Sequence, residues 1–209
     1  MVRVKICGIT NSEDALAAIE AGANLLGFNF YPKSPRCLTE AAAKKIRPKL
    51  PKSVEAVGIF VNAPAADVAT LCRLVKLDAA QLHGDETPQT VAELARGVPV
   101  IKAFRVEPDF KLGTLDEYPD AFAYLFDAAH TGQYGGTGRS TDWDAARRAT
   151  KGRRIILAGG LKVENVAAAV RIVRPYGVDV ASGVELKPGK KDHGRLREFI
   201  QEVRRAEGK

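Results

Sequence analysis

The chain begins MVRVKICGIT (Met1–Thr10), an alternation that two different folds could use. At a strand's period of two, Val2, Val4 and Ile6 share one face and Arg3, Lys5 and Cys7 share the other. A strand on the surface of a sheet would simply solvate its charged face. A strand whose charged face lines an enclosed space would instead carry a thiol to the edge of that space.

Working outward, the segment is the first of a repeating unit. Strand Val2–Cys7 precedes Thr10-Asn11-Ser12-Glu13, a capping-box pattern opening a helix over Asp14–Ala21. The same order follows with strand Asn24–Phe30 and helix Thr39–Ile46, Val54–Val61 and Ala65–Val75, and Ala79–Leu82 and Pro88–Ala95. Strand Val98–Ala103 leads to a weaker helical segment around Phe110–Leu115, and Ala121–Phe126 leads through a glycine-rich loop to Trp143–Ala149. Ile155–Ala158 with Val163–Val173 and Val178–Ala181 with His193–Arg205 complete eight units. Eight apolar strands alternating with helices predict a parallel sheet covered by helices, closed as one compact, lightly decorated (β/α)8 TIM barrel over residues 1–209. An open doubly wound sheet is the alternative. The first βα turn, Cys7-Gly8-Ile9-Thr10, lacks the GxGxxG spacing of a dinucleotide loop.

In a barrel, Arg3, Lys5 and Cys7 point to the axis. Lys5 lies mid-barrel and needs a carboxylate partner, because an unpaired buried ammonium is costly. Cys7 reaches the C-terminal mouth, where this fold keeps its active sites.

Composition narrows the functional classes. The 209 residues are 45% hydrophobic, and no apolar run approaches the roughly 20 residues a membrane helix requires. No apolar signal core follows a basic start, so a cytoplasmic enzyme without membrane contact is expected. Cys7, Cys37 and Cys72 show no CxxC or His-partnered spacing, so free thiols and no metal are expected. The net charge of +7 is spread along the chain without interleaved aromatics, which argues against nucleic acid. The basic stretches Arg147–Arg154 and Lys187–Lys191 read as solvated surface, with steering of a small anionic ligand as the other reading.

The remaining strand ends supply polar groups to the same mouth. The second is followed by Tyr31-Pro32-Lys33-Ser34-Pro35-Arg36, a proline-stiffened loop delivering Arg36 and, as a further candidate, Lys33. The fourth ends Gln81-Leu82-His83-Gly84, the sixth Phe126-Asp127, and the eighth carries Asp179 inward. Ala158-Gly159-Gly160 and Ala181-Ser182-Gly183 close the seventh and eighth. Glycine turns there let backbone N–H groups approach phosphate, so Gly159, Gly160, Ser182 and Gly183 are phosphate candidates as well as simple tight turns.

Six motifs in order now carry a family resemblance: Lys5-Ile6-Cys7-Gly8-Ile9-Thr10, Phe30 to Arg36, Gln81-Leu82-His83-Gly84, Asp127 before Tyr134-Gly135-Gly136-Thr137-Gly138, Leu157 to Leu161, and Val180 to Glu185. Together they resemble phosphoribosylanthranilate isomerase of tryptophan biosynthesis, from Met1 to near the C-terminus. The resemblance implies a cofactor-free Amadori rearrangement of N-(5'-phosphoribosyl)anthranilate to 1-(2-carboxyphenylamino)-1-deoxyribulose 5-phosphate. It implies Cys7 as general base, Asp127 as general acid, Arg36 as partner of the anthranilate carboxylate, and phosphate at the last two turns. His83 and Asp179 are further substrate-contact candidates, Asp179 equally a partner for Lys5, and His130 has no assigned role. Such a base must ionise near neutrality, and Lys5 below it is a candidate to stabilise the thiolate. A monomer or homodimer acting on a small anionic substrate is expected. The alternatives are a non-catalytic phosphometabolite-binding barrel and another phosphate-binding barrel isomerase or epimerase; the metal-dependent epimerases would want more than three histidines.

Overall fold

A computed structural model describes residues 1–106, 110–128 and 143–208. Eight parallel strands close into a barrel in chain order: β1 (Arg3–Cys7), β2 (Leu25–Asn29), β3 (Glu55–Phe60), β4 (Ala79–Leu82), β5 (Val100–Val106), β6 (Ala123–Ala128), β7 (Ile155–Leu157) and β8 (Gly177–Val180). Around them lie α1 (Ser12–Ala21), α2 (Glu40–Ile46), α3 (Ala65–Val75), α4 (Pro88–Ala95), α5 (Trp143–Ala149), α6 (Val163–Val173) and α7 (His193–Ala206). The fifth crossover carries a 3₁₀ segment, Leu112–Glu117, where the sequence predicts only weak helix. The open doubly wound sheet is thereby excluded.

Two apolar layers follow from the strand alternation. Leu25, Val57, Ile101, Leu125 and Ile156 fill the barrel interior. Val4, Ile6, Phe28, Phe126 and Val178 face the other way and pack under the helices. Each large side chain so buried contributes about 1.5–3 kcal/mol. Lys5 projects into the interior and is fully buried, so the charged face of the opening segment is the inside of the barrel.

Three local expectations are corrected. Asn11, not Thr10, caps α1, accepting from the Asp14 N–H at 2.8 Å. Thr10 Oγ1 instead donates to the Gly189 carbonyl at 2.6 Å, because the chain returns there after β8. The sixth strand runs two residues further than predicted, so Asp127 lies within β6 and pairs in register with Arg105 of β5. Beyond β8 comes an antiparallel hairpin, β9 (Glu185–Lys187) and β10 (Lys190–Lys191). Lys191 is fully buried there, so solvated surface is the wrong reading for that residue.

Candidate active site

Cys7, Arg36, His83, Asp127, Asp179, Gly159, Gly160 and Ser182 line one cavity at the C-terminal mouth of the barrel. Gly183 sits just beneath it, packed so closely that a Cβ there would come within 2.1 Å of the Leu161 carbonyl oxygen. Lys33 is exposed and takes no part in the cavity lining. The motif Tyr134–Gly138 and His130 lie outside the described residues.

Cys7 ends β1 opposite Gly27 of β2. A Cβ at Gly27 would stand 3.0 Å from the Cys7 Sγ, so glycine there makes room for the thiol. Asp179 sits beside Lys5 in the β1–β8 register, and the Lys5 Nζ donates to Asp179 Oδ1 at 2.8 Å. The ion-pair reading of Asp179 is thus realised, and its side chain also borders the cavity.

A second charged group stands on the other side of the thiol. The Lys191 Nζ donates to the Cys7 carbonyl at 2.5 Å, to the Ala181 carbonyl at 3.3 Å and to Glu185 Oε1 at 2.9 Å. Glu185 also grips Arg36 in a fork, with Nε at 2.9 Å from Oε1 and Nη2 at 2.6 Å from Oε2. Gly8, at φ 76°, lies under the Arg36 side chain, where a Cβ would come within 2.5 Å of Cδ. Asn29 and Ser34 hold the connecting loop: Asn29 Oδ1 accepts from the Tyr31 N–H, and Ser34 Oγ accepts from the Arg36 N–H.

Burial pushes the Cys7 thiol up, Asp179 adds to that, and Lys5 and Lys191 pull down without cancelling it. Burial thus opposes ionisation of Cys7, and the two ammonium groups beside it work against that burial. Burial depresses Lys191 from its ordinary value, partly offset by Glu185.

The opposite part of the mouth is assembled differently. His83 Nε2 lies 3.2 Å from Asp127 Oδ2, and Gln81 Nε2 lies 2.8 Å from His83 Nδ1. With the Gln81 amine toward Nδ1, the ring proton sits on Nε2 and is donated to the Asp127 carboxylate. Gln81 Oε1 is then buried without a partner among the described residues. Turning the amide end for end reverses every donor: Oε1 accepts from Nδ1–H, and Nε2 accepts from a protonated Asp127.

Gly159 and Gly160 adopt φ of 77° and 66°, which glycine tolerates without strain, so the tight-turn reading holds for both. They precede α6, whose N-terminus adds its dipole to the same end of the cavity. Cys37 is exposed, and Cys72 is buried on α3 with its thiol pushed up to about 11 by burial.

The sequence reading missed Glu185 as the anchor of Arg36, Lys191 as a buried cation and Gly27 as the thiol's clearance. The only sequence signal for the first two is their nearness to the end of β8. Register alone could have found the third.

Residues 4–202 match the family profile described as N-(5'phosphoribosyl)anthranilate (PRA) isomerase. A curated N-(5'-phosphoribosyl)anthranilate isomerase of Acidithiobacillus ferrooxidans is 51% identical over 98% of each chain. The crystal structure of phosphoribosyl anthranilate isomerase from Thermotoga maritima superposes with a TM-score of 0.91 at 42% identity, covering 98% of this chain and 99% of that one. A further crystal structure of such an isomerase, in complex with reduced 1-(o-carboxyphenylamino)-1-deoxyribulose 5-phosphate, gives 0.88 at 40% identity over the same shares.

Proposed function

Since the chain belongs to the phosphoribosylanthranilate isomerase family and is an isomerase of tryptophan biosynthesis, we propose that Cys7 and Asp127 move the two protons of its reaction. The substrate, N-(5'-phosphoribosyl)anthranilate, carries a phosphate at one end and a benzoate at the other. The phosphate fits the turns at Gly159, Gly160 and Ser182, where backbone N–H groups and the start of α6 offer partial positive charge. Gly183 contributes by letting the two turns approach each other. The benzoate carboxylate falls to Arg36, whose Nε and Nη2 edge is fixed by Glu185, leaving the Nη1 edge to turn inward.

Between these ends stands the ribose. Protonated Asp127 donates to the ring oxygen as the bond from that oxygen to C1' breaks, and the anthranilate nitrogen pushes its lone pair toward C1' to form an iminium. The Cys7 thiolate then takes the proton from C2', and the C2'–H electron pair neutralises the iminium as an enolamine, which tautomerises to the ketone. His83 and Gln81 can follow Asp127 through both of its states, so we assign His83 as the residue that orients the acid. Asp179 acts through Lys5 rather than on the substrate.

The observation that carries this reading is the convergence of Cys7, Asp127, Arg36 and the two glycine turns on one cavity. Loss of phosphoribosylanthranilate fluorescence tests it. Asp127→Asn should lower kcat by roughly 10²- to 10⁴-fold with little change in KM, the usual contribution of a positioned acid. A loss under about tenfold would remove Asp127 from the role.

A further inference from the structure

Lys191 has no part in the chemistry just described, yet it is a fully buried cation bonded to the backbone of the proposed base. The charges around Cys7 fall into two groups. On β1 and β8, Lys5 and Asp179 form a matched pair at 2.8 Å. On the other side, Arg36 and Lys191 share the single carboxylate of Glu185, at 2.6 and 2.9 Å. That triad carries one positive charge in excess. Behind it, the Asp14 carboxylate takes the Lys191 backbone N–H at 2.9 Å, His193 at 2.8 Å and Lys190 at 3.4 Å, the last also paired with Glu13 at 3.0 Å. Among the described residues Asp14 bonds neither the Lys191 ammonium nor Arg36. Across the mouth, Asp127 is engaged with His83.

We propose that Lys191 is a positioning residue for the base, and that the surplus charge of the Arg36–Glu185–Lys191 triad is what stabilises the Cys7 thiolate in the free enzyme. Lys5 favours the thiolate most strongly, but Asp179, its ion-pair partner, opposes it, so the triad supplies positive charge that no neighbouring carboxylate among the described residues cancels. In a buried site an uncompensated charge acts over several ångströms with little screening. A thiolate at Cys7 would bring the cluster to neutrality. Burial pushes both groups toward their neutral forms, Cys7 upward and Lys191 downward, and against that burial each favours the charged form of the other. The hairpin β9–β10 thereby gains a purpose that its distance from β1 in sequence conceals: it carries both Glu185 and Lys191 to the thiol.

The inference rests on the reading of Cys7 as base, and alkylation separates the two, since it titrates the thiol whatever its role. In a Cys37→Ser background without substrate, the rate of Cys7 modification by iodoacetamide is followed against pH by peptide mapping. Lys191→Met should raise the pH midpoint and cut the thiolate fraction at fixed pH by roughly tenfold. Glu185→Gln, which increases the surplus charge, should lower the midpoint and raise that fraction by a similar factor. Loosened packing would speed or slow alkylation at every pH without moving two midpoints in opposite directions. A folded Lys191→Met with the wild-type midpoint overturns the proposal. So does a Glu185→Gln midpoint that stays put or rises, which decides the matter alone if Lys191→Met fails to fold. Inactivity of Cys7→Ser bears on the base assignment and leaves these midpoints unaffected.

Discussion

The two sides of the barrel mouth are made of different materials. Around Cys7 the partners are formal charges in hydrogen-bonded pairs: Lys5 with Asp179, and Lys191 and Arg36 with Glu185. Around Asp127 the described partners include a histidine, itself held by the amide of Gln81. A base that must become an anion in a buried site needs fixed positive charge nearby, because burial otherwise favours the thiol. An acid that must donate and then hold a negative charge needs a partner able to reverse its own donor and acceptor. Imidazole and a primary amide can do that, whereas an ammonium donates only.

Breaking the charged side at its centre should have the largest effect. Cys7→Ser is nearly isosteric, yet a hydroxyl does not ionise in this pH range, so kcat should fall by about 10²- to 10⁴-fold with folding unchanged by circular dichroism. Retention of more than a tenth of the turnover would transfer the base role elsewhere. The side around Asp127 should be more forgiving. Gln81→Leu leaves His83 without its Nδ1 partner and should cost roughly 10-fold in kcat at constant KM. ¹⁵N spectra of the imidazole should show a mixture of tautomers in place of one; an unchanged tautomer would mean that Gln81 does not set it.

The smallest effect sharpens the comparison through stability. Burial alone would raise the Asp14 carboxyl, but the Lys191 N–H, His193 and Asn11 hold it below its ordinary value of 3.8. A carboxyl lower in the folded state than in the unfolded one stabilises the fold above the unfolded value and loses that contribution as pH falls through the folded one. Asp14→Asn should therefore be less stable than wild type near neutrality. The gap should close as pH drops below about 3.8, as urea midpoints across that range would show. A gap that widened in acid would contradict the role of Asp14 in tying down the hairpin.

The first strand illustrates how much was legible in advance. Its period of two and the eight repeats identified the barrel, placed Cys7 at the mouth, and required a carboxylate for Lys5. The ends of β4, β6 and β7 likewise named His83, Asp127, Gly159 and Gly160 correctly as cavity residues. Asp179 remained ambiguous because the β1–β8 register, which sets Lys5 beside it, joins residues 174 positions apart. The balance at the thiol was legible only in part for a related reason: a neighbouring lysine is visible in the sequence, but the burial that opposes it is not.

Local periodicity, turn glycines and strand-end chemistry thus determined from the sequence the closed barrel, its polar mouth and most of the side chains that line it, because each of these depends on residues a few positions apart. Only the tertiary structure decided which charges neutralise one another. Lys191 looks like a member of an ordinary basic surface stretch, and Glu185 like the tail of a strand-end motif, until barrel closure folds their hairpin against Cys7 and Arg36, from which they are separated by most of the chain. Burial and pairing at that distance are set by the fold as a whole, and the balance of charge at the thiol follows from them.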